Sequence, residues 1–178
     1  LALVRSVDTG SLVLGILGFK QAATAAGDQA TKYAIQWLNS TISASTSLNN
    51  DITGGYYASS QDAVDVTGQQ STDVKRALVN WDGDGCAYAA SSTYGSCAIQ
   101  PSSSITIDSA TTAKYVIFRL CSATGDPNSE SVTCAKPSST NNGVAPKKGK
   151  LDYSDYERFA NGAGVYYRIV VRVVSARN

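Results

Sequence analysis

Residues 1–38 read as one continuous helix, and its two halves make opposite demands on whatever folds around it. From Phe19 onward, apolar side chains recur at Phe19, Ala23, Ala26, Ala30, Tyr33 and Trp37, the spacing that lays a stripe along one helix face. Gln21, Thr24, Asp28, Thr31 and Gln36 occupy other faces. This half is therefore expected to lie on a sheet or core, with small Ala side chains admitting a close partner. The first half differs. Residues 11–19, SLVLGILGF, are apolar almost all round, and a helix of that kind must be covered on every side. The run is too short to span a bilayer by itself, which takes about 20 residues, and Arg5 and Asp8 break the stretch before it. The opening LALV points to apolar sequence continuing upstream. Gly10, Gly15 and Gly18 each cost about 1 kcal/mol relative to Ala in a helix. This half is stable only when packed, either inside its own domain or, the reading preferred here, against other subunits or a membrane.

The remainder, residues 39–178, reads as a β-rich head. Residues 39–54 are a Ser/Thr/Asn loop leaving the helix, and Gly54, Gly55, Tyr56 and Tyr57 open a short strand. Asp73 to Asn80 is expected to form a helical turn or two. Ile105–Ile107 and Lys114–Cys121 (KYVIFRLC) are strand candidates. Val165–Val174 alternates most clearly: Val165, Tyr167, Ile169, Val171 and Val173 share one face, and both Arg lie on the other. Residues 135–150 are a Pro/Ser/Asn/Lys loop, and Leu151–Phe159 suggests a short helix. One helix followed by strands indicates an α+β domain, with the long N-terminal helix laid across a small antiparallel sheet.

Four cysteines fall into two local pairs, Cys86 with Cys97 and Cys121 with Cys134. Three connectivities are open on sequence alone, and the short, flexible intervening segments favour the local one. The CxxC spacing that zinc sites favour is absent. Disulfides place the chain in an oxidising compartment.

Chemistry has few footholds. The chain has no His, so the commonest general base and metal ligand are missing. The S-x-x-K spacing that would give a serine a lysine base does not occur. The reading is accordingly non-enzymatic, with no cofactor. Asn80-Trp81-Asp82-Gly83-Asp84-Gly85 resembles the start of a calcium loop, but position twelve counted from Asp82 is Thr93, where an EF-hand needs Glu. That leaves a looser cation site at Asp82 and Asp84 as a minor candidate beside a tight turn. A net charge of +1 with no basic stripe argues against nucleic acid. Lys147, Lys148 and Lys150 read as a solvated loop, and the acidic cluster of Asp152, Asp155 and Glu157 as a solvated short helix. The chain has no Met, so Leu1 is not a translation start, and any targeting segment lies outside the sequence.

Four stretches carry a family resemblance: LALVRSVDTGSLVLGILGFKQAATAAGDQATKYAIQWL (1–38), GGYY (54–57), KYVIFRLCSATG (114–125) followed by Cys134, and GVYYRIVVRVVSARN (164–178). Together they cover roughly half the chain, and through them it resembles the PilX group of type IV pilus assembly proteins. The resemblance implies a type IV pilin-like fold and a minor pilin. Such a protein is held in the inner membrane facing the periplasm before assembly and is found at the extracellular pilus filament or tip afterwards. It also implies partners: other pilins through the helix, and a PilY-type tip adhesin. Leu12, Leu14, Ile16, Leu17 and Phe19 would pack in the filament bundle, and Tyr56, Tyr57, Tyr166 and Tyr167 would pack the sheet. The same resemblance leads one to expect residues before Leu1 and a further strand beyond Asn178. The competing readings are a surface adhesin module, a major filament subunit and a type II secretion pseudopilin.

Overall fold

A computed structural model describes residues 2–42, 47–70, 74–136 and 164–175, with side chains from Ile16 onward in the helix. The expected loop at 135–150, the expected helix at Leu151–Phe159, the Lys147–Lys150 cluster and the Asp152–Glu157 cluster lie largely or wholly outside the described residues. The molecule is α+β. Helix α1 runs Ala2–Thr41, and a single turn of 3-10 helix covers Ser47–Asn49. Among the described residues seven strands follow: β1 Tyr56–Tyr57, β2 Val64–Asp65, β3 Ala77–Val79, β4 Ser96–Ile99, β5 Ile105–Thr106, β6 Thr111–Arg119 and β7 Tyr167–Ser175.

Strand β6 is the spine. It pairs antiparallel with β7 over nine residues, from Thr111↔Ser175 to Arg119↔Tyr167. Its other side takes β5 antiparallel near one end and β1 parallel near the other. The sheet is thus mixed, where the sequence suggested purely antiparallel pairing. The parallel start of β1 depends on Gly55. Its φ is +98°, and an added Cβ would sit 2.8 Å from the Tyr115 carbonyl oxygen and 2.7 Å from the Ser102 nitrogen. That close approach lets the Gly55 carbonyl accept the Ile117 N–H at 2.7 Å.

Alternation divides the main sheet into two faces. Tyr115, Ile117, Ile169 and Val171 face the helix, where they pack with Ala34, Leu38, Leu48 and Tyr56. The helix presents Ala26, Ala30, Ala34 and Leu38, all buried, with Gly27 3.9 Å from the Val173 side chain at its ideal Cβ. The buried stripe is therefore rotated from the one the spacing predicted. Ala26 and Ala30 belong to it, whereas Phe19, Ala23 and Tyr33 are exposed. The reason is size: this sheet admits residues no larger than Ala until Trp37 and Leu38.

The opposite face, carrying Val116, Phe118 and Val170, is covered by a second sheet that the sequence reading missed. Strands β2, β3 and β4 pair in parallel, and Val64, Val79, Trp81 and Ile99 close a second core over it. The expected helical turn at 73–80 is wrong in its described part: Ala77–Val79 is the central strand of this sheet, with Leu78 and Val79 fully buried. Both sides of β6 are consequently dry, and Tyr115–Arg119 are buried without interruption.

Candidate functional site

Three regions hold the residues singled out from the sequence. The first is the helix upstream of the head. Every residue from Ile16 to Ala25 is exposed, including Ile16 at 48%, Leu17 at 51% and Phe19 at 52%. At about 100° per residue these three apolar side chains spread over roughly 160° of the helix circumference. Leu12 and Leu14 lie in the same helix, with side chains outside the described part. Burying the exposed half of an Ile, Leu or Phe contributes about 1 kcal/mol each. Apolar exposure continues beside the head at Tyr33 and Ile35. Among the described residues no helix is long and apolar enough to cross a membrane.

The second region is the pair of cysteine loops. Cys86 is bonded to Cys97 and Cys121 to Cys134, the local connectivity. The second loop is locked from inside by Arg119, whose side chain was not singled out from the sequence. Arg119 is 1% exposed. Its guanidinium donates to the carbonyls of Ala58 (3.0 Å), Leu48 (3.1 Å), Gly125 (2.8 Å) and, more weakly, Ala123 (3.4 Å). Leu48 O also accepts the Tyr56 hydroxyl at 2.7 Å, and Gly125 N–H donates to Asn49 O. One cation thus ties together the segment after the helix, the end of β1 and the disulfide loop. A signal did exist: period two places Arg119 on the helix-facing side with Ala113, Tyr115 and Ile117. The four tyrosines divide. Tyr56 packs at a tilt between Trp37 and Tyr167, Tyr57 stacks on Phe118, and Tyr166 is exposed and outside the sheet packing expected for it. Burial pushes the Tyr56 hydroxyl well above the ordinary phenol range and raises the pKa of Tyr57 and Tyr167 as well.

The third region is the 80–85 loop. Asn80 Oδ1 accepts Gly85 N–H and Asp84 Oδ1 accepts Ala87 N–H, as in a turn that braces itself. Asp82 meets Arg172 at 2.7 Å, while Lys114, the cross-strand neighbour of Arg172, donates to the Trp81 carbonyl. The loop therefore answers two like charges set side by side on β6 and β7. The candidate cation pair Asp82 and Asp84 gains no third ligand: among the described residues no group of three His, Cys, Asp or Glu could hold a metal.

Nearby, Arg76 and Asp65 form a buried ion pair that joins β2 to β3. Arg76 also donates to Gln70 O and Thr93 O. Burial works against the charged Asp65 carboxylate, but hydrogen bonds from Gln70 N–H, the Thr67 hydroxyl, Gly68 N–H and Thr67 N–H outweigh it and hold its pKa below the usual carboxylate value. Neither charge is left for chemistry on a ligand; the pair fixes a loop. No family model, curated protein or solved structure matches this chain.

Proposed function

We propose that this chain is a structural subunit of a type IV pilus, a minor pilin that takes part in filament assembly through its N-terminal helix. The single observation that carries the reading is the contrast along α1. Its last four turns are seated on a sheet, while the ten residues from Ile16 to Ala25 are all exposed and include three large apolar side chains. A 40-residue helix is about 60 Å long, far more than the head needs. A helix bundle shared with other subunits would cover Ile16, Leu17 and Phe19, and would extend naturally to Leu12 and Leu14. Disulfide-closed loops facing outward suit an oxidising, extracytoplasmic setting, with inner-membrane anchorage before assembly. Other pilins are the partners of the helix, and a PilY-type adhesin is a partner of the head.

The test is piliation of a deletion strain complemented with Leu14→Glu or Leu17→Glu. Both variants should accumulate and their purified heads should melt like the parent, yet neither should restore pili. Wild-type piliation with either charge in place would refute assembly through the helix. Normal pili in the deletion strain itself would move the role to the head and favour an accessory adhesin.

A further inference from the structure

The two cystines are held differently. Cys86, in a turn at φ +63°, is joined to Cys97 in β4 with Cα atoms 6.0 Å apart, a separation that cystines ordinarily take. Cys121 and Cys134 instead stand directly opposite each other in an antiparallel bridge. The bridge is closed on both sides of them: Ala135 N–H donates to Leu120 O and Ser122 N–H to Thr133 O, each at 2.8 Å. That makes Cys121 and Cys134 a non-hydrogen-bonded pair, whose natural Cα spacing is about 4.5 Å. Their Cα atoms are 3.9 Å apart, closer than either the bridge or a cystine prefers. The segment between them does not need the bond to stay in place. Arg119 grips Ala123 O and Gly125 O, Gly125 N–H donates to Asn49 O, and Val132 is buried. Cys121 is 2% exposed, whereas Cys134 is only half-buried.

We propose that Cys121–Cys134 is a thiol-exchange site, reducible within the folded head, with Cys134 the sulfur that is attacked. Its co-reactant is a dithiol. One thiolate of the dithiol bonds to Cys134 Sγ, and the S–S bond breaks with its electron pair on Cys121 Sγ. The second sulfur of the dithiol then displaces Cys134 Sγ. The reductant leaves as a disulfide, two electrons and two protons have passed to the cystine, and both cysteines are thiols. Opening lets the pair relax toward the spacing of the bridge itself, so this cystine is more easily reduced than Cys86–Cys97. The flanking ladder bonds and the Arg119 contacts involve no sulfur, so the loop stays seated when the bond opens. The inference concerns the head alone and stands or falls apart from the helix-mediated role.

The experiment equilibrates the oxidised 178-residue chain with dithiothreitol at graded ratios of reduced to oxidised reagent. Free thiols are then alkylated and located by mass spectrometry. Cys121 and Cys134 should be half-alkylated at a ratio at least about tenfold lower than Cys86 and Cys97 require, a difference of about 30 mV for a two-electron couple. At that point near-UV circular dichroism should be native, and the 122–133 amides should exchange within about tenfold of their oxidised rates. With glutathione in place of dithiothreitol, the trapped adduct should sit on Cys134. In concentrated guanidinium the two cystines should differ by no more than about twofold, because loops of 11 and 13 residues have nearly the same closure entropy. Equal or earlier opening of Cys86–Cys97 would overturn the proposal. So would loss of the native signal as Cys121–Cys134 opens, or an adduct on Cys121. A tenfold difference that survives unfolding would overturn it too, because the fold would then not be its cause.

Discussion

Replacing Arg119 by Met removes the cation at the centre of the head while roughly keeping its volume. Four carbonyls lose a donor, but unequally. Leu48 O keeps the Tyr56 hydroxyl. Ala123 O and Gly125 O belong to a loop whose residues are largely exposed, so water can reach them. Ala58 is fully buried, and its carbonyl is stranded at a cost of about 1–3 kcal/mol. Losing two or three charge-assisted bonds, offset by no longer burying a guanidinium, adds about 1–2 kcal/mol. The sum is about 3 kcal/mol, which for a chain of this length lowers Tm by about 6–12 °C. Arg119→Lys keeps the charge but replaces a planar five-donor fork with three donors on one atom, and should recover no more than half of the loss. The assay is thermal and urea unfolding under oxidising conditions, with amide exchange of residues 122–133 as a local readout. Arg172→Met is the surface control and should cost less than about 1 kcal/mol. If Arg119→Met unfolds within 0.5 kcal/mol of the parent (about the error of comparing two such variants), or if the 122–133 amides are unchanged, the lock described above is not what holds that loop.

Two further perturbations probe the same framework. Asp65→Asn leaves Arg76 buried without its counter-charge and should cost about 3–5 kcal/mol at pH 7. Because the Asp65 pKa is lowered in the fold, its contribution is complete above the unfolded value near pH 4 and is lost as pH falls through the folded one. The parent's stability should therefore fall more steeply than the variant's below about pH 4 in acid titrations of urea unfolding. Ala34→Leu forces three extra carbons between helix and sheet at a site with no exposure, and should cost about 1–3 kcal/mol by the same unfolding assay; a neutral result would mean the helix is not seated on its Ala stripe.

Strand β7 was legible because one of its faces meets a helix and the other carries two Arg, which produces visible alternation. β6 was legible from composition, as an unbroken apolar run covered on both sides. The second sheet left no such trace. Its strands are two to four residues long and pair in parallel across 13 to 20 positions of chain, so no local period marks them. Long-range pairing and the buried Asp65–Arg76 contact decide their state, overriding any preference for a helical turn at 73–80. The rotated helix stripe has a related cause. Where Ala dominates, a spacing rule weighted towards large residues selects Phe19 and Tyr33, while packing selects the positions where nothing larger fits. The local cysteine pairing was readable from loop length, but the burial of Arg119 required noticing a charge in phase with apolar neighbours.

The two disulfides close loops of 11 and 13 residues, whereas β1 meets β6 across some sixty positions and the helix at Gly27 reaches Val173 at the far end of the chain. Covalent and non-covalent closure are thus separated by distance along the chain. Either cystine can form in an unfolded polypeptide without committing the topology, and neither can hold a misassembled sheet in place. The order of events then follows from loop-closure entropy: local cross-links early, and the slow step the arrival of β7 beside β6. Until Tyr167–Ser175 arrives, the helix has only half a platform, and a chain whose cystines have already formed carries an oxidised yet unfinished head.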